Sequence, residues 1–291
     1  MTTRPTPLCR SWLFAPGAER DALYAAPASG ADVIIQELED FTPPDRRPEA
    51  HALAPALYDH WRAKGAVAAV RINPYHDGGR LDLAAVMPGA PDIVALPKVT
   101  TPGQIAALDA DITAHEAALN LPHGQTQILP NLESAAGVLA LRDIAAASPR
   151  VTAVLMASED LAADLAAPRQ PDNAELQYAR AKFYFDAAAA GVLAVDYPHT
   201  WAAGLDDDLN GANRLGFKAK SCVRPEDAAA INAAFTPTDA EIARARAIVA
   251  AFDTARAEGR ANARAGDTLV ELPGYNNARR LLDRARALGV A

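Results

Sequence analysis

The chain has 291 residues, half of them apolar, and a formal net charge of −8; that is core-forming material for one large domain or two modest ones. Acids and bases are interspersed, with no basic stripe and no interleaving of aromatic and basic residues, which argues against a nucleic-acid partner. No apolar run approaches a membrane span, the opening MTTRPTPLCRSWLFAPG lacks the apolar stretch of a signal peptide, and Cys9 and Cys222 are too few for a disulfide framework or a zinc cluster, so a cytoplasmic protein without a membrane partner is expected.

Taken in chain order, short β-branched runs alternate with longer alanine-rich stretches. A strand is expected near Ser11–Phe14, a helix over Glu19–Ser29, a strand at Asp32–Ile35 and a helix over Pro48–Lys64. Strands near Ala66–Ile72 and Ile93–Leu96 precede a helix over Pro102–Leu119. Then come a strand at Gln127–Leu132, a helix over Ala135–Ala147, a strand at Val151–Met156 and a helix over Ala174–Ala190. Strands at Leu193–Val195 and Phe217–Ser221 enclose a helix over Leu205–Leu215. Strand–helix alternation signals parallel pairing, and eight such units in residues 1–235 fit a (β/α)₈ TIM barrel, which takes about 250 residues. An open doubly wound sheet is the rival, but FAPGAERD carries one glycine and no Gly-x-Gly-x-x-Gly. Residues 236–291 read as a C-terminal helical extension: a helix over Pro237–Glu258, a short apolar link, and a last helix from about Tyr275.

In barrels of this kind the chemistry gathers where the strands end. Strand two ends in Glu37, Glu39 and Asp40; strand three in Arg71-Ile72-Asn73; strand four in Lys98; strand five in Asn131-Leu132-Glu133. Strand six leads into Ser158-Glu159-Asp160, strand seven ends in Asp196, and strand eight in Lys220, with Arg224 beyond. Any one of these charges reads most simply as a solvated rim residue; together they converge on one small mouth. Such a mouth suits Mg²⁺, which takes one or two carboxylates and leaves the other positions to water and substrate oxygens. Glu133 and Asp160, from adjacent strands, are placed to share the ion, and Arg71 to hold an oxyanion. Strict alternation would put Glu37 and Glu39 on one face and Gln36 and Asp40 on the other, but the strand ends within this stretch, so alternation alone does not say which acids face inward. No histidine pair has metal-ligand spacing, no Gly-x-Ser-x-Gly surrounds Ser158, and Cys222 reads as a buried structural thiol.

An ordered series of blocks, RSWLFAPG, LEDFTPPDRRPEA, VRINP, LPKV, NLESAAGV, MASEDLAADL and GFKAKSCVRPEDAAAINAAF, resembles the citrate lyase β-subunit-like family of the HpcH/HpaI aldolase superfamily, from Arg10 to about Leu288. Each block is weakly specific; the order is the strong signal. The resemblance implies a Mg²⁺-dependent carbon–carbon lyase acting on CoA thioesters of the malyl, citramalyl or citryl type. Glu133 and Asp160 would be the metal ligands, Arg71 a catalytic and substrate-binding group, and Glu39 and Asp40 catalytic groups that orient water around the ion. Lys98 and Arg10 would be further substrate-binding residues. The resemblance also implies a homotrimer or a multiple of trimers, with the C-terminal segment reaching a neighbour's site.

Four positions depart from the family pattern. Glu271, in LVELP, stands where the family has an aspartate proposed as acid/base; Arg224 replaces a histidine; Gln36-Glu37 stands where an aspartate precedes Leu-Glu-Asp; and ADLAAPRQ lacks a glycine. The alternatives left open are an aldolase for free 2-oxo acids, a CoA thioesterase and a non-catalytic subunit of a larger lyase complex.

Overall fold

Eight parallel strands close on themselves in chain order in the computed structural model, which describes residues 4–260 and 262–291. They are β1 (Ser11–Pro16), β2 (Val33–Glu37), β3 (Val67–Arg71), β4 (Ile93–Leu96), β5 (Gln127–Leu132), β6 (Ala153–Met156), β7 (Leu193–Asp196) and β8 (Ala219–Cys222). β8 returns to pair with β1 through Ser11↔Lys220, which shuts the barrel. The helices are α1 (Arg20–Ala25), α2 (Arg47–Ala63), α3 (Arg80–Val86), α4 (Pro102–Ala118), α5 (Ala135–Leu139), α6 (Leu141–Ala146), α7 (Ser158–Asp164), α8 (Gln177–Ala190), α9 (Leu205–Leu215) and α10 (Asp227–Ala234). The expected helix over Ala135–Ala147 is broken into α5 and α6 at Ala140, and that over Glu19–Ser29 continues past α1 as a 3₁₀ turn containing Pro27.

Alternate residues of all eight strands form one apolar cluster: Trp12, Phe14, Val33, Ile35, Val67, Ala69, Ile93, Ala95, Leu129, Ala153, Leu155, Val195 and Ala219. Only the inside of a closed barrel is shared by every strand, so these are the inward positions. The residues between them, such as Leu13, Ile34, Val70, Val94 and Val154, are equally buried and face outward, as a parallel sheet covered on both sides requires.

An outward position of β2 is polar. Gln36 is fully buried, yet its amide donates to the carbonyls of Gly17 (3.0 Å) and Ala50 (2.8 Å) and accepts from the Tyr58 hydroxyl (2.7 Å). That satisfies the group and ties β2 to α2.

Residues 234–291 form a separate compact unit. It contains α11 (Asp239–Ala257), a hairpin of β9 (Ala263–Ala265) and β10 (Thr268–Val270), and α12 (Leu272–Ala287). Thr238 and Glu241 form a capping box at the start of α11. Phe252 and Tyr275 stack at 4.4 Å over a small core with Ala255, Ala263 and Val270. The hairpin occupies what reads in the sequence as a bare link. Its turn, Gly266-Asp267 with glycine at φ +57°, is a two-residue hairpin signal. Among the described residues no helix is long and apolar enough to cross a membrane.

Candidate active site

Alternation carries the inner face of β2 from Val33 and Ile35 to Glu37, and that of β3 from Val67 and Ala69 to Arg71. The register pairs these two residues directly. Glu37 is fully buried; one carboxylate oxygen accepts from Arg71 Nε (2.9 Å) and from the Glu39 amide (2.6 Å), the other from the Phe41 amide (2.5 Å). An ionised carboxylate inside protein needs this much compensation. Gly17 lets the chain after β1 press against this corner: its amide donates to the Glu37 carbonyl at 2.9 Å, and a Cβ there would stand 2.4 Å from that oxygen.

Arg71 is the hub. Beyond Glu37, its guanidinium lies 3.5 Å from Glu39, 3.3 Å from Asp40 and 4.0 Å from Glu133. Its Cζ stands 5.1 Å from the centre of the Phe14 ring and 6.0 Å from that of Phe41. Burial works against its charge, but Glu37, Glu39 and Glu133 outweigh that and raise its pKa. Asp40 is the exposed rim member of the set, and Glu39 lies beneath it. Burial pushes the Glu39 carboxyl up, although Arg71 and Lys98 pull the other way. Lys98 adopts a left-handed backbone (φ +53°) just past β4, which is strained for a side chain of its size. Its half-exposed ammonium donates to Glu39 at 2.6 Å, and this bond raises the lysine pKa.

Glu133 follows β5 on the same side. Ser134 caps α5 by accepting from the Gly137 amide at 3.1 Å, and Asp164 of α7 accepts from the Ala135 amide at 2.8 Å. The loop bearing Glu133 is thereby tied to the helix bearing Asp160. Burial drives the Glu133 carboxyl up to about 8; Arg71 opposes this, while Glu39 and Asp160 add repulsion. Glu133 Oε1 and Glu39 Oε2 are buried without a hydrogen-bond partner among the described residues. Asp160, in the first turn of α7, is exposed and lines a cavity of 190 Å³ with Phe14, Asp40, Phe41, Arg71, Leu155 and Ser158.

The structure thus gathers Glu39, Asp40, Arg71, Lys98 and Glu133 through direct contacts, with Asp160 at the same cavity. It does not gather Arg10. That residue precedes β1, and its guanidinium binds Asp32, which precedes β2, at 2.8 and 3.0 Å. The pair lies at the N-terminal end of the barrel, opposite the mouth, so Arg10, expected as a substrate-binding residue, stands apart from the gathered set. Arg10→Ala should lower the melting temperature and leave kcat/KM unchanged; a raised KM would restore the substrate role.

Asp196 and Lys220 are also turned away. Val195 and Ala219 point inward, so their neighbours point outward between strands and helices. There Lys220 lies 2.7 Å from both Asp196 and Asp208, and Arg180 of α8 reaches Asp196 at 2.5 Å and Asp208 at 2.9 Å. Cys222 is buried, and burial raises its thiol to about 12, which makes it inert. Glu271 caps the start of α12 in the second unit with its side chain exposed and no capping bond.

The HpcH/HpaI aldolase/citrate lyase family model matches residues 10–225, which span the whole barrel. The chain belongs to the HpcH/HpaI aldolase/citrate lyase family. It is 30% identical over 291 residues to citrate lyase subunit beta of Escherichia coli (strain K12), covering 99% of this chain and 96% of that one. It is also 30% identical to a (3S)-malyl-CoA thioesterase of Cereibacter sphaeroides, covering 96% and 95%. Among solved structures, protein CitE from Mycobacterium tuberculosis in complex with magnesium, acetoacetate and coenzyme A is similar at 26% identity and a TM-score of 0.73, covering 96% of this chain and 98% of that one.

Proposed function

We propose that this family member is a Mg²⁺-dependent carbon–carbon lyase acting on a carboxylated 3-hydroxyacyl-CoA thioester. The observation that carries the reading is the buried Arg71 guanidinium, which lines one cavity with Asp160 and lies 4.0 Å from Glu133, a carboxylate with a buried oxygen unpartnered among the described residues. The residues fit a hard divalent cation: the donors are carboxylate oxygens, and burial first, then repulsion from Glu39 and Asp160, raises Glu133. Among the described residues no three His, Cys, Asp or Glu side chains form a ready metal cage, but Mg²⁺ needs only one or two carboxylates. Glu133 and Asp160 would hold it, with Glu39 and Asp40 orienting its water. When bound, the ion supplies Lewis-acid polarisation of the oxygens of a 2-hydroxy or 2-oxo acid.

Arg71 is held by Glu37 so that its charge is already in place when an enolate oxygen develops; a donor that does not have to move is the effective kind. Lys98, half-exposed beside Glu39, steers the substrate carboxylate inward. The thioester portion lies outside, since 190 Å³ accommodates a small acid and not a nucleotide. Glu271, contributed by a neighbouring copy in a homotrimer or multiple of trimers, takes the acid/base position. Its extra methylene relative to aspartate moves the carboxylate by about an ångström, a displacement that matters for proton transfer.

The two kinds of relative, a lyase subunit and a thioesterase, set the test. The protein is incubated with Mg²⁺ and malyl-CoA, citramalyl-CoA or free 4-hydroxy-2-oxo acids, and products are followed. A CoA thioester product plus a 2-oxo acid is expected. Free CoA without a 2-oxo acid identifies a thioesterase, pyruvate from free acids alone a free-acid aldolase, and silence on all three a non-catalytic subunit. Asp160→Ala should abolish Mg²⁺ binding in equilibrium dialysis while leaving the far-ultraviolet spectrum unchanged; retained Mg²⁺ affinity removes Asp160 from the ligand set.

A further inference from the structure

Asn131 lies between two residues whose roles are clear. Leu129, two positions before it, belongs to the apolar barrel interior, and Glu133, two positions after it, to the carboxylate set. Asn131 is fully buried, and both Oδ1 and Nδ2 of its side chain lack a hydrogen-bond partner among the described residues. Its backbone is accounted for: the carbonyl accepts from the Val99 amide at 3.1 Å. Its register partner on β6, Leu155, lines the 190 Å³ cavity.

A buried amide that makes none of its bonds works against folding. Leucine has nearly the same shape, and the inward neighbours Ala95, Leu129 and Leu155 are apolar, so packing alone gives no reason for an amide here. The donor inventory gives one. With Mg²⁺ bound, Asp40, Glu133 and Asp160 only accept, Arg71 is engaged by Glu37, Glu39, Asp40 and Glu133, and Lys98 is half-exposed beside Glu39, which leaves the Ser158 hydroxyl and the Asn131 amide as buried donors without a partner among the described residues. A substrate that brings carbonyl and carboxylate oxygens into this cavity needs donors, and Nδ2 of Asn131 is a neutral one already stripped of water.

We infer that Asn131 is a specificity-determining residue whose amide donates a hydrogen bond to an oxygen of the small 2-oxo acid half of the substrate. This rests on the proposed function, and it adds a neutral donor beneath the charged groups of the mouth. Being uncharged, the amide reads the position of an oxygen without adding to the field that holds the cation.

The test uses the full-length protein, Mg²⁺ and pyruvate as the probe. Asn131→Leu removes both amide functions at nearly constant shape; Asn131→Ala does so with no risk of overpacking. Three quantities are measured for each: melting temperature without ligand, Mg²⁺ affinity, and pyruvate affinity by calorimetry with Mg²⁺ present. Expected for Asn131→Leu are an unchanged or higher melting temperature, unchanged Mg²⁺ affinity, and pyruvate affinity weakened about tenfold or more. Asn131→Ala should weaken pyruvate equally. Pyruvate affinity equal to wild type in either folded variant overturns the inference, as does a lowered melting temperature in both variants with pyruvate affinity intact, which marks the amide as a structural group. Wild-type protein that binds neither Mg²⁺ nor pyruvate overturns the proposed function and this inference together, whereas wild-type binding with indifferent variants overturns the inference alone.

Discussion

Arg71→Ala should destabilise the barrel by about 3–5 kcal/mol, the usual result of leaving a buried charge without its partner, and should abolish turnover. The stranded group is Glu37, fully buried and aimed at the guanidinium. The loss comes mainly from that carboxylate and not from the missing arginine, which gives a sharp second expectation. Combining Arg71→Ala with Glu37→Gln should recover a large part of the stability in urea denaturation and none of the activity. Arg71→Lys should keep most of the stability but not the rate, because an ammonium cannot span Glu37, Glu39 and Asp40 as the planar guanidinium does. A single mutant as stable as wild type, or a double mutant no better than the single, would show that the pair does not carry the buried charge in this way.

Without Mg²⁺, the melting temperature should fall as pH rises from about 5 to 8, and added Mg²⁺ should reverse the fall. Burial raises Glu133 from an ordinary 4.5 to about 8 in the folded chain. The native state therefore holds a proton that the unfolded state has released across this range. With more protons bound when folded, stability decreases as pH rises. Each pKa unit corresponds to 1.36 kcal/mol, so the effect is at most about 5 kcal/mol, or on the order of 10 °C in a chain of this size. A bound divalent cation stabilises the ionised carboxylate, so the Mg²⁺-induced rise in melting temperature should be small near pH 5 and large near pH 8. Glu133→Gln should flatten the metal-free pH profile and remove the Mg²⁺ response. The same Mg²⁺ increment at both pH values would mean that the ion binds elsewhere.

The barrel was legible in the sequence because its signals are local. Ile93–Leu96 and Gln127–Leu132 were read to the residue, since β-branched runs bounded by proline and polar residues leave little choice. Glu133, Arg71 and Lys98 were legible because a charge just past such a run has to lie at the mouth. The direction in which strand residues point was not. In a parallel barrel both faces are apolar, so nothing local distinguishes Val195, which faces in, from Asp196, which faces out. The weight of Glu37 is hidden for a related reason: it comes from the register that pairs it with Arg71, and register is a non-local property. In the sequence Asn131 is one more strand-end polar group; only the fold shows that its buried amide has no partner among the described residues. A motif match carries a residue type but not the end of the barrel it occupies, and Arg10 lies at the end where the strands begin.

The quartet of Arg180, Asp196, Asp208 and Lys220 has a consequence for the lineage of this chain. Each member neutralises the others away from water, so a change at any one is expected to remove about 3–5 kcal/mol from a fold whose entire margin is about 5–15 kcal/mol. Changing all four together to well-packed apolar residues would be close to neutral, but descent proceeds one substitution at a time. The seam between β7 and β8 therefore behaves as an epistatic ratchet, easy to keep and hard to leave.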